Sequence, residues 1–507
     1  MVLLQIVCNH CETNLKRTIE NSLKRTRSLI VRSKKAKMNK PKEINLPESF
    51  TIRMKETLGS EFDEFLEALS DQPPVSVRYN PHKYVVKDSQ NETVPWCRNG
   101  FYLESRPEFY KDPLIFAGAY YVQEASSMFV DKALETYLPK NEPVKVLDLC
   151  AAPGGKSTLI NSAISSDSLL LSNEIVSKRA IPLVENLMRW GTPNVLVANN
   201  NPQDLEILTE FFDVILVDAP CSGEGMFRKD RKVINLWGDN LPQACAQRQD
   251  QILESVDKML KPGGLLIYST CTFSPEENEE QVRNLVNSEE YESLQLPIKQ
   301  DWGITELVES TANDAKTYCY RFYPHKTKGE GFFLSCLRKV DDGYANSKIK
   351  LSKKAVNSFK SVPKKYLDII EKWVKNPDSL TFIQQEDELV YAFPKALLAD
   401  LKLIDKALNL RMKGVELGKL RNNKFIPSHH LAVSQILSDK IPVIELDYEQ
   451  AVYYLKKQEI EINNSAIKGW AVVSYAGVNL GWIKVLPNRV NNYYPIDLRI
   501  RKDFEIE

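Results

Sequence analysis

The stretch Val144-Lys-Val-Leu-Asp148-Leu-Cys150-Ala-Ala-Pro-Gly154-Gly155-Lys156-Ser157-Thr158 decides the fold class. It predicts a buried strand, a glycine-containing turn and the N-terminus of a helix. Further apolar runs alternate along the chain with helical stretches such as 177–190 and 243–261. These runs lie at 169–173, 194–198, 213–218 and 264–269. Short buried strands that alternate with helices indicate a doubly wound, Rossmann-like α/β sheet.

Composition places the chain among soluble globular proteins. Of 507 residues, 26% are charged and 43% are hydrophobic. No apolar run reaches the length of a membrane span, so we expect no membrane association. The nine cysteines are odd in number and lack the spacing of a disulfide framework, which indicates a reducing, cytoplasmic environment. No set of Cys and His spacings indicates a metal site.

The net charge of zero hides an uneven distribution of charged residues. Residues 1–37 carry a net charge of +7 and residues 351–507 a net charge of +5, which leaves −12 for residues 38–350. Proteins that bind nucleic acids need local positive surface to displace the counterions of the phosphates. Composition alone therefore neither requires nor excludes a nucleic-acid partner.

Two classes of ligand compete for the glycine turn. Gly155-Lys156-Ser157 ends like a phosphate-binding loop, but that motif requires glycine at position 150, where this chain has Cys150. A nucleoside methyl donor instead needs an acid after the next strand to bind its ribose, and Glu174 occupies that place. Asp148 can face the amino-acid end of such a donor. The residues favour a methyl donor, with an ATPase as the alternative.

Two cysteines follow strand ends where open α/β sheets build their sites. Cys221 lies in Asp218-Ala-Pro-Cys-Ser-Gly-Glu-Gly, and Cys271 lies in Tyr268-Ser-Thr-Cys-Thr. A methylase that acts on carbon 5 of a pyrimidine needs a thiolate to add to carbon 6, an acid near N3 and a group that assists release. Cys271, Cys221 and Asp218 can supply these three functions.

The combined motifs resemble the Nop/Sun family of RNA cytosine-C5 methyltransferases. The resemblance covers about residues 45–340 and includes Gly118-Ala-Tyr-Tyr-Val-Gln-Glu-Ala-Ser-Ser and Arg321-Phe-Tyr-Pro-His. The C-terminal residues, with Pro427-Ser-His-His and Gly481-Trp-Ile-Lys, resemble the bacterial 16S rRNA branch, which carries a PUA-like domain. The resemblance implies a class I fold that binds S-adenosylmethionine.

The resemblance also assigns roles to individual residues. It implies that Cys271 is the nucleophile, that Cys221 assists product release and that Asp218 takes part in both catalysis and donor binding. Asn201 stands where the family usually has an aspartate near the adenine, with Asp204 close by. The predicted donor-binding residues are Cys150, Ala151, Ala152, Pro153, Gly154, Gly155, Lys156, Glu174, Asn201 and Asp218.

The sequence also predicts a domain organisation and a binding partner. We expect a basic N-terminal extension (1–37), an N-terminal α+β RNA-binding subdomain (38–110), the methyltransferase domain (111–340), a linker (341–352) and a C-terminal RNA-binding region (353–507) whose PUA-like part spans about 425–507. The expected partner is ribosomal RNA or the small ribosomal subunit, bound by a monomer. Predicted RNA contacts are Arg78, Lys83, Arg228, Lys229 and Lys484. A catalytically silent RNA-binding scaffold is the remaining alternative.

Overall fold

The structure is a computed structural model that describes residues 44–84, 91–140, 142–311, 313–341, 343, 349, 356–385, 388–421, 424–462 and 467–504. The described residues form two compact units. One comprises Glu43–Leu103 with Gly118–Ile441, and the other comprises Glu104–Ala117 with Pro442–Glu507. Within the described part of the chain, no helix has the length and apolar character that crossing a bilayer requires.

A ten-stranded sheet forms the centre of the larger unit. Its neighbouring strands run in the order β10-β11-β12-β8-β7-β4-β5-β6-β16, and β9 pairs with β12. Its strands are β4 (Lys145–Asp148), β5 (Leu169–Asn173), β6 (Val195–Ala198), β7 (Phe212–Asp218), β8 (Leu260–Thr270), β9 (Tyr291–Leu294), β10 (Thr305–Ser310), β11 (Lys316–Phe322), β12 (Phe332–Lys339) and β16 (Leu410–Lys413). Strands β4 to β8 pair in parallel, whereas β12 and β16 join the two sides in antiparallel orientation. This confirms the predicted Rossmann-like class.

Alternate residues of the central strands supply two hydrophobic cores, one on each face of the sheet. Val146 and Leu170 belong to one core, which includes Leu183 of the helix Ser177–Trp190. Leu147 and Leu171 belong to the other. A strand directs successive side chains to opposite faces, so strands that are buried on both faces read as unbroken apolar runs. Helices therefore cover both faces of the sheet.

The helices fall largely where the apolar periodicity predicts them. In chain order they are α1 (Glu48–Leu58), α2 (Phe62–Ser70), α3 (Pro113–Phe116), α4 (Val130–Tyr137), α5 (Gly155–Ala163), α6 (Ser177–Trp190), α7 (Pro202–Leu205), α8 (Lys232–Leu236), α9 (Leu241–Met259), α10 (Glu279–Asn287), α11 (Leu367–Ile370), α12 (Leu398–Ala407), α13 (His429–Val433) and α14 (Tyr448–Leu455). The N-terminal part of the larger unit begins with two helices, α1 and α2. They separate at Gly59, whose φ of 53° ends α1.

Two smaller sheets complete the larger unit. The first has the order β2-β1-β3 and consists of β1 (Val75–Tyr79), β2 (Gly100–Leu103) and β3 (Tyr120–Val122). The second has the order β13-β14-β15-β17-β18 and consists of β13 (Lys360–Ser361), β14 (Leu380–Gln384), β15 (Leu389–Pro394), β17 (Val415–Arg421) and β18 (Lys424–Pro427). Strand β16 lies between β15 and β17 in sequence but joins the large sheet, so the C-terminal region takes part in the central fold.

The smaller unit is a four-stranded sheet with helices. Its order is β19-β20-β21-β22, with β19 (Val443–Glu445), β20 (Gly469–Tyr475), β21 (Val478–Leu486) and β22 (Arg489–Asn492). Within it, the Tyr448 hydroxyl of α14 donates to the Lys111 carbonyl at 3.0 Å, which connects residues 104–117 to this helix. The predicted domain boundaries at 110, 340, 352 and 425 stay predictions, and the compact units divide the chain at other positions. Residues 1–37 lie outside the described residues.

Candidate active site

The turn after β4 shapes one wall of a cavity in the larger unit. Gly154 has a φ of 109°, a left-handed conformation that favours glycine, and α5 begins directly after it. A Cβ on Gly155 would lie 3.1 Å from the ring of Tyr121, so a side chain here would crowd the cavity wall. The two glycines therefore let the backbone approach a ligand closely.

The cavity has a volume of about 150 Å³ and extends from the glycine turn to Asp218 at the end of β7. Its lining includes most of the predicted donor-binding set: Cys150, Ala151, Ala152, Pro153, Gly155, Lys156 and Asp218. The other lining residues are Tyr121, Val122, Gln123, Glu124 and Ser127, which sequence analysis quoted only as part of a motif.

One buried carboxylate oxygen of Asp148 shows whether the cavity suits a methyl donor. The side chain is buried, and its Oδ2 accepts a hydrogen bond from the Ser157 hydroxyl at 2.6 Å. Its buried Oδ1 has no partner among the described residues. Burial raises the pKa of Asp148 to about 7. A buried carboxylate oxygen beside the glycine turn suits a cationic amino group, so the residues present fit the amino-acid end of S-adenosylmethionine.

Three residues of the predicted donor-binding set, Gly154, Glu174 and Asn201, do not line the cavity itself. Glu174 is buried after β5, and its carboxylate accepts from the Val176 amide at 2.8 Å. Arg179 connects it to the turn, because this side chain lies 3.5 Å from Glu174 and donates to the Ala152 carbonyl at 3.0 Å. Asn201 is exposed at the start of α7, where its backbone amide donates to Asp204 at 3.0 Å. Asn201 is thus the N-cap residue of this short helix, and Asp204 completes a capping box with it.

The two thiols meet because their strands are neighbours. Strands β7 and β8 run in parallel with Asp218 opposite Ser269, so the loops that follow them emerge side by side. The Sγ atoms of Cys221 and Cys271 are 3.1 Å apart, and the Cys271 amide donates to the Cys221 sulfur at 3.3 Å. Both cysteines are partly accessible. The structure therefore brings together the pair that the sequence placed 50 residues apart.

A hydrogen bond, burial and a neighbouring ion pair determine the electrostatics around Cys221 and Asp218. The hydrogen bond with Cys271, together with burial, raises the pKa of Cys221 well above its ordinary value. The ammonium of Lys156 lies 2.8 Å from Asp218 Oδ1, which also accepts from the Ser269 hydroxyl at 3.0 Å. Burial opposes the charge of Lys156, but Asp218 outweighs it and the pKa of the lysine is raised. Lys156 therefore places a fixed cation at Asp218, and Cys221 is a thiol whose protonated form is favoured.

A carboxylate that the sequence does not mark anchors the loop with Pro220 and Cys221. Glu277 is fully buried, and its carboxylate accepts from the Ser222 amide at 2.9 Å, from the Ser222 hydroxyl at 2.5 Å and from Gln249 at 3.1 Å. The Ser222 hydroxyl also bonds Thr272 at 2.7 Å. Since Ser222 follows Cys221 and Thr272 follows Cys271, this network fixes both cysteine loops. No periodicity or spacing in the sequence marks Glu277 for this position.

A second buried carboxylate connects the cysteine loops to the N-terminal helices. Glu224 accepts from Arg53 of α1 at 2.5 Å, from Trp237 at 3.1 Å and from the Phe273 amide at 3.1 Å. The side chain is completely buried. Helix α1 therefore supports the loop that carries Cys271, a contact that the sequence did not indicate.

Three predicted RNA contacts are corrected by the structure. Arg78 is only 2% exposed, and its guanidinium donates to Gln123 at 2.8 Å and to Thr158 at 2.6 Å. Arg228 is buried in an ion pair with Glu330 at 3.0 Å. Lys83 donates to the backbone carbonyl of Arg189, and burial lowers the pKa of its ammonium to about 7. The side chains of Arg78 and Arg228 are buried on protein partners and are not available to a phosphate, whereas Lys83 is half-buried with its ammonium on a backbone carbonyl.

Lys229 and Lys484 stay predictions of RNA contact. Lys229 is exposed next to the buried Arg228. In the smaller unit, the Lys484 ammonium lies 5.3 Å from the ring centre of Trp470. Among the residues that the structure describes, no group of three or more His, Cys, Asp or Glu side chains could hold a metal ion. Cys8 and Cys11 lie outside the described residues.

Comparison with protein families matches three consecutive models to this chain. Residues 135–338 match 16S rRNA methyltransferase RsmB/F. Residues 46–125 match the N-terminal domain of 16S rRNA methyltransferase RsmF, and residues 441–500 match the methyltransferase RsmF PUA domain. The three matches together include the glycine turn, both cysteine loops and the sheet of the smaller unit.

Individual proteins extend this likeness over nearly the whole chain. Ribosomal RNA small subunit methyltransferase F of Vibrio vulnificus (strain YJ016) is 31% identical over 483 residues, which are 90% of this chain and 98% of the relative. The protein of the same name from Escherichia coli O9:H4 (strain HS) is 29% identical over 482 residues, 90% of this chain and 97% of its own. The crystal structure of PH0851 has a TM-score of 0.50 at 24% identity and covers 60% of this chain and 70% of its own, which supports the fold alone.

Proposed function

The chain belongs to the RsmB/F family of 16S rRNA methyltransferases, and on that premise we propose that it methylates carbon 5 of a cytosine in 16S rRNA through a covalent adduct with Cys271. It is an enzyme that uses S-adenosylmethionine as methyl donor. The proposal depends above all on the two thiols 3.1 Å apart at the strand ends that carry Asp218. A methylase acting on an exocyclic nitrogen or a ribose hydroxyl would have no use for such a pair.

The first step is the addition of the Cys271 thiolate to carbon 6 of the cytosine. This forms a bond from sulfur to carbon 6, opens the double bond between carbons 5 and 6, and makes carbon 5 nucleophilic. Asp218 lines the cavity and, as an acid, gives N3 the proton that it takes up when the electron pair of the thiolate enters the ring. Lys156, held at 2.8 Å from Asp218, places a cation on the same side. Bound S-adenosylmethionine supplies an electrophilic methyl group to this cavity.

Release of the product requires the reverse chemistry at carbon 6. The Cys221 thiol gives its proton to the leaving sulfur of Cys271 and takes the proton of carbon 5 in its place. The bond from sulfur to carbon 6 breaks, and the double bond between carbons 5 and 6 forms again. We assign Cys221 to this step because its sulfur lies 3.1 Å from that of Cys271 and its raised pKa keeps it protonated beside a thiolate. The division of roles follows the family resemblance and agrees with the raised pKa of Cys221.

The substrate side of the proposal is ribosomal RNA, as naked 16S rRNA or in the small subunit. A base inside a duplex cannot reach Cys271, so the target cytosine must lie out of its stack. The match of residues 441–500 to a PUA domain supports an RNA-binding role for the smaller unit. Lys229 near the cysteine loops and Lys484 near Trp470 are the exposed and half-exposed cations that we assign to RNA.

The test is methyl transfer from labelled S-adenosylmethionine to 16S rRNA and to isolated small subunits. The modified nucleoside is then identified by mass. We expect 5-methylcytidine. Label in another nucleoside would refute the cytosine-C5 assignment, and absence of label on both substrates would favour a catalytically silent scaffold.

The two thiol variants test the assigned roles. Cys271→Ala should abolish both methyl transfer and covalent RNA adducts, whereas Cys221→Ala should accumulate a methylated adduct that is visible as a protein band carrying RNA. Cys245→Ala is a matched control, because Cys245 is a buried cysteine on α9 that takes no part in the proposed chemistry. An adduct that accumulates in Cys271→Ala and not in Cys221→Ala would exchange the two roles.

A further inference from the structure

The edge of the donor-binding sheet is closed by a strand from the C-terminal region. Strand β16 pairs antiparallel with β6, and the pairing continues on both sides. The Gly414 amide donates to the Val195 carbonyl at 2.9 Å, and the Asn199 amide donates to the Asn409 carbonyl at 3.0 Å. Helix α12, just before β16, places Leu401 in the hydrophobic core of the same sheet. The C-terminal region is therefore part of the donor-binding fold.

A bulge in this strand redirects Arg411. Leu410 lies opposite Ala198 and Met412 lies opposite Val197, so Arg411 is the extra residue of the bulge. Bulges turn a side chain away from the regular alternation of the strand and are common beside active sites. The Arg411 guanidinium donates through Nη2 to Asn199 Oδ1 at 2.9 Å and to the Ser177 hydroxyl at 3.1 Å.

Asn199 connects Arg411 to Glu174, the acid that the sequence assigns to the ribose of the donor. Its side-chain Nδ2 donates to the backbone carbonyls of Glu174 at 2.6 Å and of Ile175 at 3.0 Å. The guanidinium can only donate, so it fixes the Asn199 amide with its oxygen toward Arg411 and its nitrogen toward Glu174. Next to it, the Asn409 amide donates to Asn200 Oδ1 at 2.9 Å. Asn409 and Arg411 of the C-terminal region therefore contact the two segments, after β5 and after β6, that we assign to the adenosine of the donor.

We propose that Arg411 is a positioning residue for the adenosine half of the methyl donor, acting through Asn199 on Glu174 and on the turn that contains Asn201. This inference rests on the proposed function. It makes donor binding depend on a residue of the C-terminal region, outside the residues 135–338 that match the methyltransferase family model. The physical reason is that Glu174 and the Asn199–Asn201 turn end two neighbouring strands and have to be kept at a fixed separation to bind one ligand.

The test is calorimetric titration of the full chain with S-adenosylmethionine and with S-adenosylhomocysteine. Arg411→Ala removes two hydrogen bonds from a charged donor and should raise both dissociation constants about tenfold. Arg411→Lys keeps the charge but not the planar donor group, and should give an intermediate rise. The matched control is Arg421→Ala, an exposed arginine on β17 that faces Glu388 at 4.0 Å. It should leave both constants unchanged.

A kinetic measurement separates positioning from a general loss of structure. In Arg411→Ala, the KM for the donor should rise while kcat at saturating donor stays within about twofold, because the thiol pair is untouched. Unchanged dissociation constants in Arg411→Ala overturn the inference, as does an equal rise in Arg421→Ala. If Arg411→Ala does not fold, Arg411→Lys carries the test with the same criteria. A wild-type chain that binds no donor refutes the proposed function itself, which is a different outcome.

Discussion

Glu277 provides the sharpest test of the active-site architecture, because it is a buried carboxylate that holds the loop of the proposed release thiol. Its hydrogen bonds from the Ser222 amide and hydroxyl fix the residue that follows Cys221. Replacing it with alanine leaves these donors without their charged acceptor. Hydrogen bonds to charged groups contribute about 1.5–3 kcal/mol each, so we expect Glu277→Ala to lower the free energy of unfolding by about 3 kcal/mol and to slow methyl transfer.

The pH dependence of the stability gives a signature that is specific to this residue. Burial raises the pKa of Glu277 from 4.5 to about 7, although hydrogen bonds from Ser222 oppose the shift. Glu277 in the unfolded chain ionises first as the pH rises, and this favours unfolding. The stabilising contribution of the protonated group is therefore complete below pH 4.5 and is lost as the pH rises through about 7. A pKa difference of this size corresponds to about 3 kcal/mol.

The assay compares wild type with Glu277→Gln, which cannot titrate. Denaturant unfolding followed by tryptophan fluorescence is measured from about pH 5 to about pH 8.5 at constant ionic strength. The free energy of unfolding of wild type relative to the glutamine variant should fall by about 2.5 kcal/mol over this range and level off above neutrality. Glu280→Gln, an exposed carboxylate on α10, controls for the loss of one charge. A difference that is independent of pH, or that grows as the pH rises, would refute the reasoning.

Three further substitutions test neighbouring features. Arg228→Ala leaves the carboxylate of Glu330 buried without its partner and should destabilise the protein by about 3–5 kcal/mol, seen as a lower Tm. Lys229→Ala should leave the Tm unchanged and weaken RNA binding in a filter-binding assay, with a shallower salt dependence. In Gly225→Ala the new Cβ would lie 2.4 Å from the Gly331 carbonyl oxygen and 2.9 Å from the Cys271 carbonyl oxygen, so the loop with Cys271 has to shift. We expect kcat to fall with little change in the donor dissociation constant, and an unchanged kcat would contradict this.

Local sequence determined the donor turn and the strand ends. A left-handed φ requires glycine at position 154, and the nearby ring of Tyr121 requires glycine at position 155, the first residue of α5. Both requirements arise within a few residues and therefore leave a motif in the sequence. Strands that are buried on both faces are visible in the sequence as apolar runs. The sequence therefore predicted the positions of β4 to β8 and of the cysteines that follow β7 and β8. Parallel pairing then brings such loops to one edge of the sheet.

What only the tertiary structure decided is the identity of the supporting residues and the direction of the cations. In the sequence, Arg78 and Arg228 are compatible with phosphate contacts, because a sequence does not distinguish an exposed cation from one that is buried against a protein partner. In the structure both side chains are buried, and they bind Gln123 and Glu330. Glu277 and Arg411 reach the site from loops and strands distant in sequence from their partners, and no periodicity records such contacts. Strand and helix patterns are short-range properties that the sequence determines by itself, whereas partners of buried charges depend on which segments the fold brings together.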